Sequence, residues 1–530
     1  MYCPLVTSSL VWAAALGPAA LAAAGFARGS GRSCARFAQI AAATSLAAAL
    51  AAAAAVATYG VLRTPAADAA GIGCSLYLDA LSVAVLALFS FVGLAVIAFS
   101  RNFLEGDPGQ ARFMRLLSLT TAALLLLAIS GNLLQFALAW VATSLALHGL
   151  LLFYPNRRYA ALAARKKFIA SRLGDLCLIA ALVLTFRAFG TLEYAALFQR
   201  AILLHGALAV PVPAQAAAIL FALAALLKSA QFPAHGWLTE AMETPTPALA
   251  LLHAGVINAG GFLLLRLSSL ITLSLPSLGL LALAGAVTAI FGSVVMLAQT
   301  SVKAKLAYST IAQTGFMLLE CGLGAFAAAL LHLAAHALYR TYAFLSSGSV
   351  NDIERASWTP GRGLRPVWQF VAVAAAVAAA PLLGSLFGAT PAEQPGVFAL
   401  GSVLMLGIVP LLTTGAGERP NAYVLIRTLL AALAVGATYF ALQAGMQRLF
   451  AASLPAAQAL RGPFAISVAG LVVAAFAIVT FLQGVVSEDG VMERRPGLYA
   501  ALWNGLYVNT FANRLILRFW PPRSAASSQS

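Results

Sequence analysis

Apolar residues run along this chain in long blocks separated by short polar joins. A block such as AQIAAATSLAAALAAAAAVATYGVL exceeds the roughly 20 residues that carry a helix across a bilayer. No apolar–polar alternation of period two appears, which argues against a membrane β-barrel. Hydropathy windows predict helices over 5–26, 38–60, 76–99, 114–131, 133–153 and 168–189. An amphipathic connector is expected over 190–210. Further helices are expected over 213–232, 247–267, 277–299, 304–320, 323–347, 367–388, 397–415, 422–448 and 464–485. The fold class is therefore all-α: a polytopic membrane protein of about 14–15 transmembrane helices. The first block has no basic region ahead of it and reads as a retained helix, not a cleaved signal peptide. Near the end, PGLYAALWNGLYVNTFANRLILRFWPP mixes aromatics, arginines and asparagines, as expected of an amphipathic helix lying on the cytoplasmic interface. SAASSQS reads as a disordered tail.

Composition agrees with a membrane protein and excludes several other classes. The chain is 62% hydrophobic and 9% charged, where soluble domains carry about 25% charge. No polar stretch is long enough for a soluble catalytic domain, so the chain reads as no enzyme and any chemistry is expected in a partner. The five cysteines are isolated, without CxxC or Cys/His spacing, so no metal or cofactor is expected in this chain. The net charge of +16 would suit nucleic acid, but its distribution argues against that. One set of alternate loops gathers Arg28, Arg32 and Arg36; Arg157, Arg158, Arg165, Lys166 and Lys167; Lys303 and Lys305; Arg355, Arg362 and Arg365; and Arg494 and Arg495. The opposite set holds only Arg63, Arg187, Arg200, Arg448 and Arg461. The positive-inside rule then puts the first set in the cytoplasm, with the N-terminus periplasmic and the C-terminus cytoplasmic.

Lys228 is the exception that points to chemistry. It ends the apolar run AAAILFALAALLKSAQFPAHGWL, where an ammonium at membrane depth costs about 2.5–3.5 kcal/mol on insertion scales. Such residues face a protein interior or a wet cavity and often mark an ion path. Pro233 lacks a backbone donor and should break the helix just past the charge. A second proline-bearing helix, AAAPLLGSLFGATP with Pro381, lies five expected crossings later. Paired broken helices point to an inverted-repeat transporter, because an odd five-helix unit repeated in tandem must invert. The chain then divides into peripheral helices over 1–110, repeats over 111–267 and 268–415, further helices over 416–490, and the interface helix with its tail over 491–530.

Other polar residues admit two readings each. His332, His336 and Arg340 follow one another at i, i+4, i+8, about 40° apart per step. They form either a proton relay, since histidine titrates near neutrality, or a hydrogen-bonded packing stripe. His253, alone in its helix, reads by default as a satisfied core group. Arg172 and Asp175, at i, i+3, either neutralise each other or tune a neighbouring cation. Glu240 and Glu243 read as interface carboxylates or an ion entry. Lys166 and Lys167 read as boundary charges, and Asp79 and Glu320 as solvated groups at outer helix ends.

KSAQFPAHGWLTEAMETPTPALALLHAGVINAGG, SVKAKLAYSTIAQTGFMLLECGLG and LLHLAAHALYRTYAFLSSGSV resemble the antiporter-like proton-conducting subunits of respiratory complex I and of multisubunit Na⁺/H⁺ antiporters. The resemblance spans roughly residues 75–390. It implies that Lys228 is the protonatable lysine of a first half-channel and that His253 sits on the next helix. It places Lys303, Lys305, His332 and His336 on a central polar axis, and Arg172 and Asp175 as a paired charge. Three departures stand out. Val141 follows Trp140 where the complex I subunits carry a glutamate, Arg340 replaces a lysine, and PLLGSLFG lacks a lysine near its break.

LAWVATSLALHGLLLFYPNRRYAALAARKKFIASRLGD and the ending NGLYVNTFANRLILRFWP resemble one subfamily, the DabB membrane subunits of inorganic-carbon accumulation systems. That resemblance implies a bacterial inner-membrane subunit coupling H⁺ or Na⁺ flux to CO₂/bicarbonate conversion. It also implies a DabA-type cytoplasmic partner that carries zinc. The alternatives are a cation/proton antiporter subunit without carbon chemistry and a proton-silent membrane anchor.

Overall fold

The computed structural model describes residues 4–65, 67–69, 71–205, 209–347, 366–388, 390, 392–416, 422–454, 463–487 and 496–520. The expected loop charges Arg355, Arg362, Arg365, Arg461, Arg494 and Arg495 and the tail SAASSQS lie outside the described residues. The chain folds as helices α1 (Pro4–Phe26), α2 (Gly31–Tyr59), α3 (Ala80–Phe103), α4 (Gln110–Ile129), α5 (Leu133–Leu151), α6 (Arg158–Phe189) and α7 (Tyr194–Leu204). Next come α8 (Val212–Lys228), α9 (Gly236–Glu240), α10 (Thr246–Ala254), α11 (Ala259–Arg266), α12 (Ser268–Ile271), α13 (Leu275–Leu297), α14 (Val302–Gly322) and α15 (Phe326–Leu345). The remainder is α16 (Pro366–Leu386), α17 (Pro395–Ala416), α18 (Ala422–Leu449), α19 (Pro463–Ser487), α20 (Pro496–Trp503) and α21 (Val508–Phe519).

Among the described residues, ten helical segments are long and apolar enough to cross a membrane. Helices α14 and α15 fall outside the ten, although they have 21 and 20 residues. They carry Lys303, Lys305 and Glu320, and His332, His336 and Arg340, which lower their hydropathy. The chain is a polytopic all-α membrane protein. Its centre is the α10–α11 pass, whose best 18-residue window is entirely buried.

Local chemistry sets several helix ends. Asp79 caps α3 by accepting from the Ser82 N–H at 2.8 Å, and Asn132 caps α5 by accepting from Leu134 N–H at 2.9 Å. Helix α6 ends at Gly190 with φ 64°, the left-handed geometry that glycine takes without strain. Helices α13 and α14 pack closely: a Cβ on Gly315 would lie 2.7 Å from the backbone nitrogen of Ala289. Small residues permit that approach, which lipid-embedded helices need because no hydrophobic drive separates them from acyl chains.

Three details depart from expectation. Two antiparallel hairpin-like pairs, β1 (Leu62–Arg63) with β4 (Tyr77–Leu78) and β2 (Ala67–Ala69) with β3 (Ile72–Cys74), fill the α2–α3 connection. The helix through Pro381 continues to Leu386 without interruption, so the expected second break is absent. Only one intrahelical donor is lost at a proline, and neighbouring helices can absorb the local bend. Helix α6 also begins ten residues before the expected 168 and carries Lys166 and Lys167 inside it.

Candidate functional site: a buried polar axis

Successive passes place the ends of α9 and α13 and the start of α14 at one end of the bundle. The far end of α14 and the start of α3 lie at the other, about 30 Å away at 1.5 Å per residue. Lys228 lies between these ends, where α8 stops. The chain then leaves helical geometry: Ala230 takes φ 50°, a conformation that costs an alanine energy, and Phe232–Pro233 is a cis peptide. The freed backbone is held from outside, with Phe232 N–H donating to Thr288 Oγ1 at 3.1 Å. The break expected after Lys228 is therefore present, over the seven residues between α8 and α9.

Lys228 is 6% exposed, and its ammonium has no carboxylate at ion-pair distance among the described residues. It donates to the Trp140 carbonyl at 3.2 Å and lies 4.3 Å from the Trp140 ring centroid. A cation over an indole face is favoured by the ring quadrupole. Asp175 acts on it at longer range, and the Trp140 indole also reaches Asp175. Arg172 pairs with Asp175 at 2.6 Å. Arg172 and Asp175 thus lie together within electrostatic range of Lys228, and neither makes a direct contact with it among the described residues.

Glu240 is committed elsewhere. It pairs with Lys166 at 2.7 Å, both side chains nearly buried. Glu240 Oε1 also accepts from Asn509 at 2.8 Å and Asn513 at 2.6 Å, so α21 closes over this pair. Lys166 also donates to Asn509, and Lys167 donates to the carbonyl and hydroxyl of Ser144. The reading of these two lysines as boundary charges fails, because the longer α6 carries them into the protein, where specific acceptors meet them. Helix α21 is held further by Arg165, which donates to the Trp520 carbonyl at 2.7 Å and stacks over its ring at 5.3 Å.

Three residues beyond Lys228, at Gln231, a row of buried polar groups begins. Gln231 donates to Thr314 Oγ1 at 3.2 Å, and Thr314 donates to the Thr310 carbonyl at 3.0 Å. The Thr310 hydroxyl meets His253 Nδ1 at 2.9 Å, and His253 stacks on Phe344. Arg340 acts electrostatically on His253 and donates from Nε to His336 at 3.3 Å and from Nη2 to Ser309 at 2.5 Å. The rings of His336 and His332 are 6.4 Å apart, and His332 Nδ1 meets Glu320 Oε1 at 3.0 Å. The structure brings together Lys228, His253, His336, Arg340 and His332. It leaves out Lys305, which is exposed on the first turn of α14, while Lys303 donates to Thr246 Oγ1 at 3.5 Å. Two first-turn lysines remain at the helix end because the axis enters α14 only from Thr310 onward.

Asp79 and Glu320 are not solvated. Asp79 accepts two bonds from Arg266, at 3.0 and 3.1 Å, and Arg266 also donates to Ser82 at 2.5 Å. Glu320 is 5% exposed. Hydropathy set both near helix ends, where hairpins and neighbouring helices cover them. The residue spacing also gave no sign of Ser144 or His235. His235 is fully buried among Phe232, Phe291 and Tyr308, with both ring nitrogens unpartnered among the described residues. Its place beside the broken helix was the available signal.

Residues 130–392 match the family model described as NADH:quinone oxidoreductase/Mrp antiporter, TM, and residues 66–114 match the N-terminus of chain 5 of complex I. The chain is 39% identical over 86% of its length, and 82% of the relative's, to "Probable inorganic carbon transporter subunit DabB2" of Halothiobacillus neapolitanus. It is 34% identical over 84% of its length, and 83% of the relative's, to "Probable inorganic carbon transporter subunit DabB" of Hydrogenovibrio crunogenus. Its fold is similar to a chain of the Mrp complex from Dietzia sp. DQ12-45-1b, with a TM-score of 0.67 and 24% identity over 96% of this chain; it spans 60% of that longer chain. The chain belongs to the DabB inorganic carbon transporter subunits, within the antiporter-like membrane family of complex I and Mrp.

Proposed function

We propose that this chain is the membrane subunit of an inorganic-carbon transporter of the bacterial inner membrane. It couples inward H⁺ or Na⁺ flux to hydration of CO₂ by a cytoplasmic, zinc-containing partner of the DabA type. The observation that supports an ion path is Lys228: a buried lysine without a direct carboxylate partner among the described residues, at a helix break, beside a row of buried polar groups. A lysine so placed is poised to change charge, because burial opposes the ammonium while Asp175 favours it. Lys228 is the switching carrier, and His253, His336 and His332 relay protons beyond it. Arg340 keeps its charge and biases the relay electrostatically.

The proposed sides follow the basic residues: the Glu240 end faces the cytoplasm, with the C-terminus, and the N-terminus is periplasmic. The two inverted units over 111–267 and 268–415 each comprise five passes, counting α8–α9 and α10–α11 as one pass each. The proline-bearing helix, α8–α9 or α16, is the fourth in each. Helix α21 and the basic loops at the Glu240 end form the docking face for the partner.

Lys228→Ala tests the reading. Labelled bicarbonate uptake is measured in carbonic-anhydrase-deficient cells that express both subunits, with and without an uncoupler. Uptake should fall to the uncoupled background at normal expression. Full uptake by the variant would leave the chain a proton-silent anchor. No carbon uptake by the wild type, together with cation-dependent pH changes in vesicles, would assign a cation/proton antiporter instead.

A further inference from the structure

The far end of the polar axis ends on groups that the reading above does not use. Glu320 Oε1 meets His332, but its Oε2 is buried without a hydrogen-bond partner among the described residues. On α18, the Tyr439 hydroxyl and the Gln443 carbonyl oxygen are likewise buried and unpartnered. Their i, i+4 spacing puts them on one face, and Gln443 is 3% exposed. Tyr439 lies within electrostatic reach of Glu320, and α18 packs against α15, which carries His332. Buried polar atoms are almost always satisfied, so the unpartnered Glu320 oxygen, with unpartnered Tyr439 and Gln443 oxygens on a helix face that reaches it electrostatically, asks for a donor or a cation.

We propose that Glu320, His332, Tyr439 and Gln443 form a binding site for one small monovalent cation, Na⁺ or a proton held on the carboxylate. Charge fixes the valence. One carboxylate balances one positive charge, whereas divalent-ion sites gather several carboxylates and more oxygens. Arg340, on the same helix as His332 and bonded to His336, further opposes a second positive charge. Hard oxygen donors without thiolate suit Na⁺, and the His332 contact suits transfer of a proton to the axis. The proposal deepens the ion-path reading and rests on it only for what the bound ion does next.

The test uses the purified two-subunit complex. Equilibrium binding of radiolabelled Na⁺ and infrared detection of a protonated carboxyl band are measured for the wild type, Glu320→Gln and the double variant Tyr439→Phe/Gln443→Leu. Saturable Na⁺ binding that weakens about tenfold in both variants identifies a sodium site. A carboxyl band absent from Glu320→Gln, without Na⁺ binding, identifies a proton site. Unchanged binding and spectra in Glu320→Gln overturn the proposal. Should Glu320→Gln fail to fold, the double variant, which keeps the carboxylate, decides the matter on the same readouts. Lys228→Ala separates the two readings: ion binding retained with uptake lost supports both. Binding retained with uptake retained removes the ion-path reading and leaves the site.

Discussion

Two buried ion pairs in this bundle have the same formal charges and opposite characters. Asp79–Arg266 is closed: the carboxylate takes two guanidinium bonds and the Ser82 N–H, while Tyr77, Tyr194 and Phe262 surround the cation at 5.6–5.9 Å. Arginine does not give up its proton, so this pair can only hold α3 to α11. Lys166–Glu240 is a single contact, padded by two asparagine amides from α21 and lying near the unpartnered His235. Its lysine can lose its proton when buried. Lys228 completes the series, with an indole and a carbonyl in place of a carboxylate. On the proposed reading, a buried charge serves as scaffold or carrier according to how fully its geometry is satisfied.

Breaking the closed pair should have the largest effect. Arg266→Met leaves Asp79 buried and uncompensated, which costs about 3–5 kcal/mol. Loss of folded protein in detergent, followed by size-exclusion and thermal unfolding, is the expected result. A stable Arg266→Met protein with reduced uptake would place this pair in the path. Glu240→Gln should act in the opposite way: the amide keeps contacts to Asn509 and Asn513, the protein folds, and ion-driven uptake falls about tenfold, as expected for losing a charged partner. Unfolding of this variant would make both pairs scaffold. The smallest effect belongs to Trp140→Phe, which keeps an aromatic face for Lys228 but removes the indole N–H toward Asp175. Uptake should fall a few-fold, roughly 1 kcal/mol, with thermal stability retained; an unchanged rate would show that Asp175 acts on Lys228 without Trp140.

Much of this was legible in the residues. Lys228 and Pro233 predicted a charge at a break because an ammonium and a missing donor are both costly in lipid. The spacing of His332, His336 and Arg340 predicted a shared face, and the structure joins all three. Pro381 was misleading, since a proline removes one bond and does not by itself end a helix. Asp79, Glu320 and Lys166 were misjudged because hydropathy locates a residue along a helix but not the helix that covers it.

The sequence by itself determined the class, the long apolar blocks and the expensive cation, since these follow from transfer energies summed along the chain; of the 14–15 expected crossings, ten helices among the described residues are long and apolar enough to span. Only the tertiary structure decided which carboxylate meets which cation. Partners such as Lys166 and Glu240, or Asp79 and Arg266, are far apart in the chain, and their pairing depends on how separate helices pack. The same holds for Lys228. Its charge was evident in one apolar run, but its neighbours Trp140 and Asp175 come from α5 and α6, brought beside α8 by the bundle.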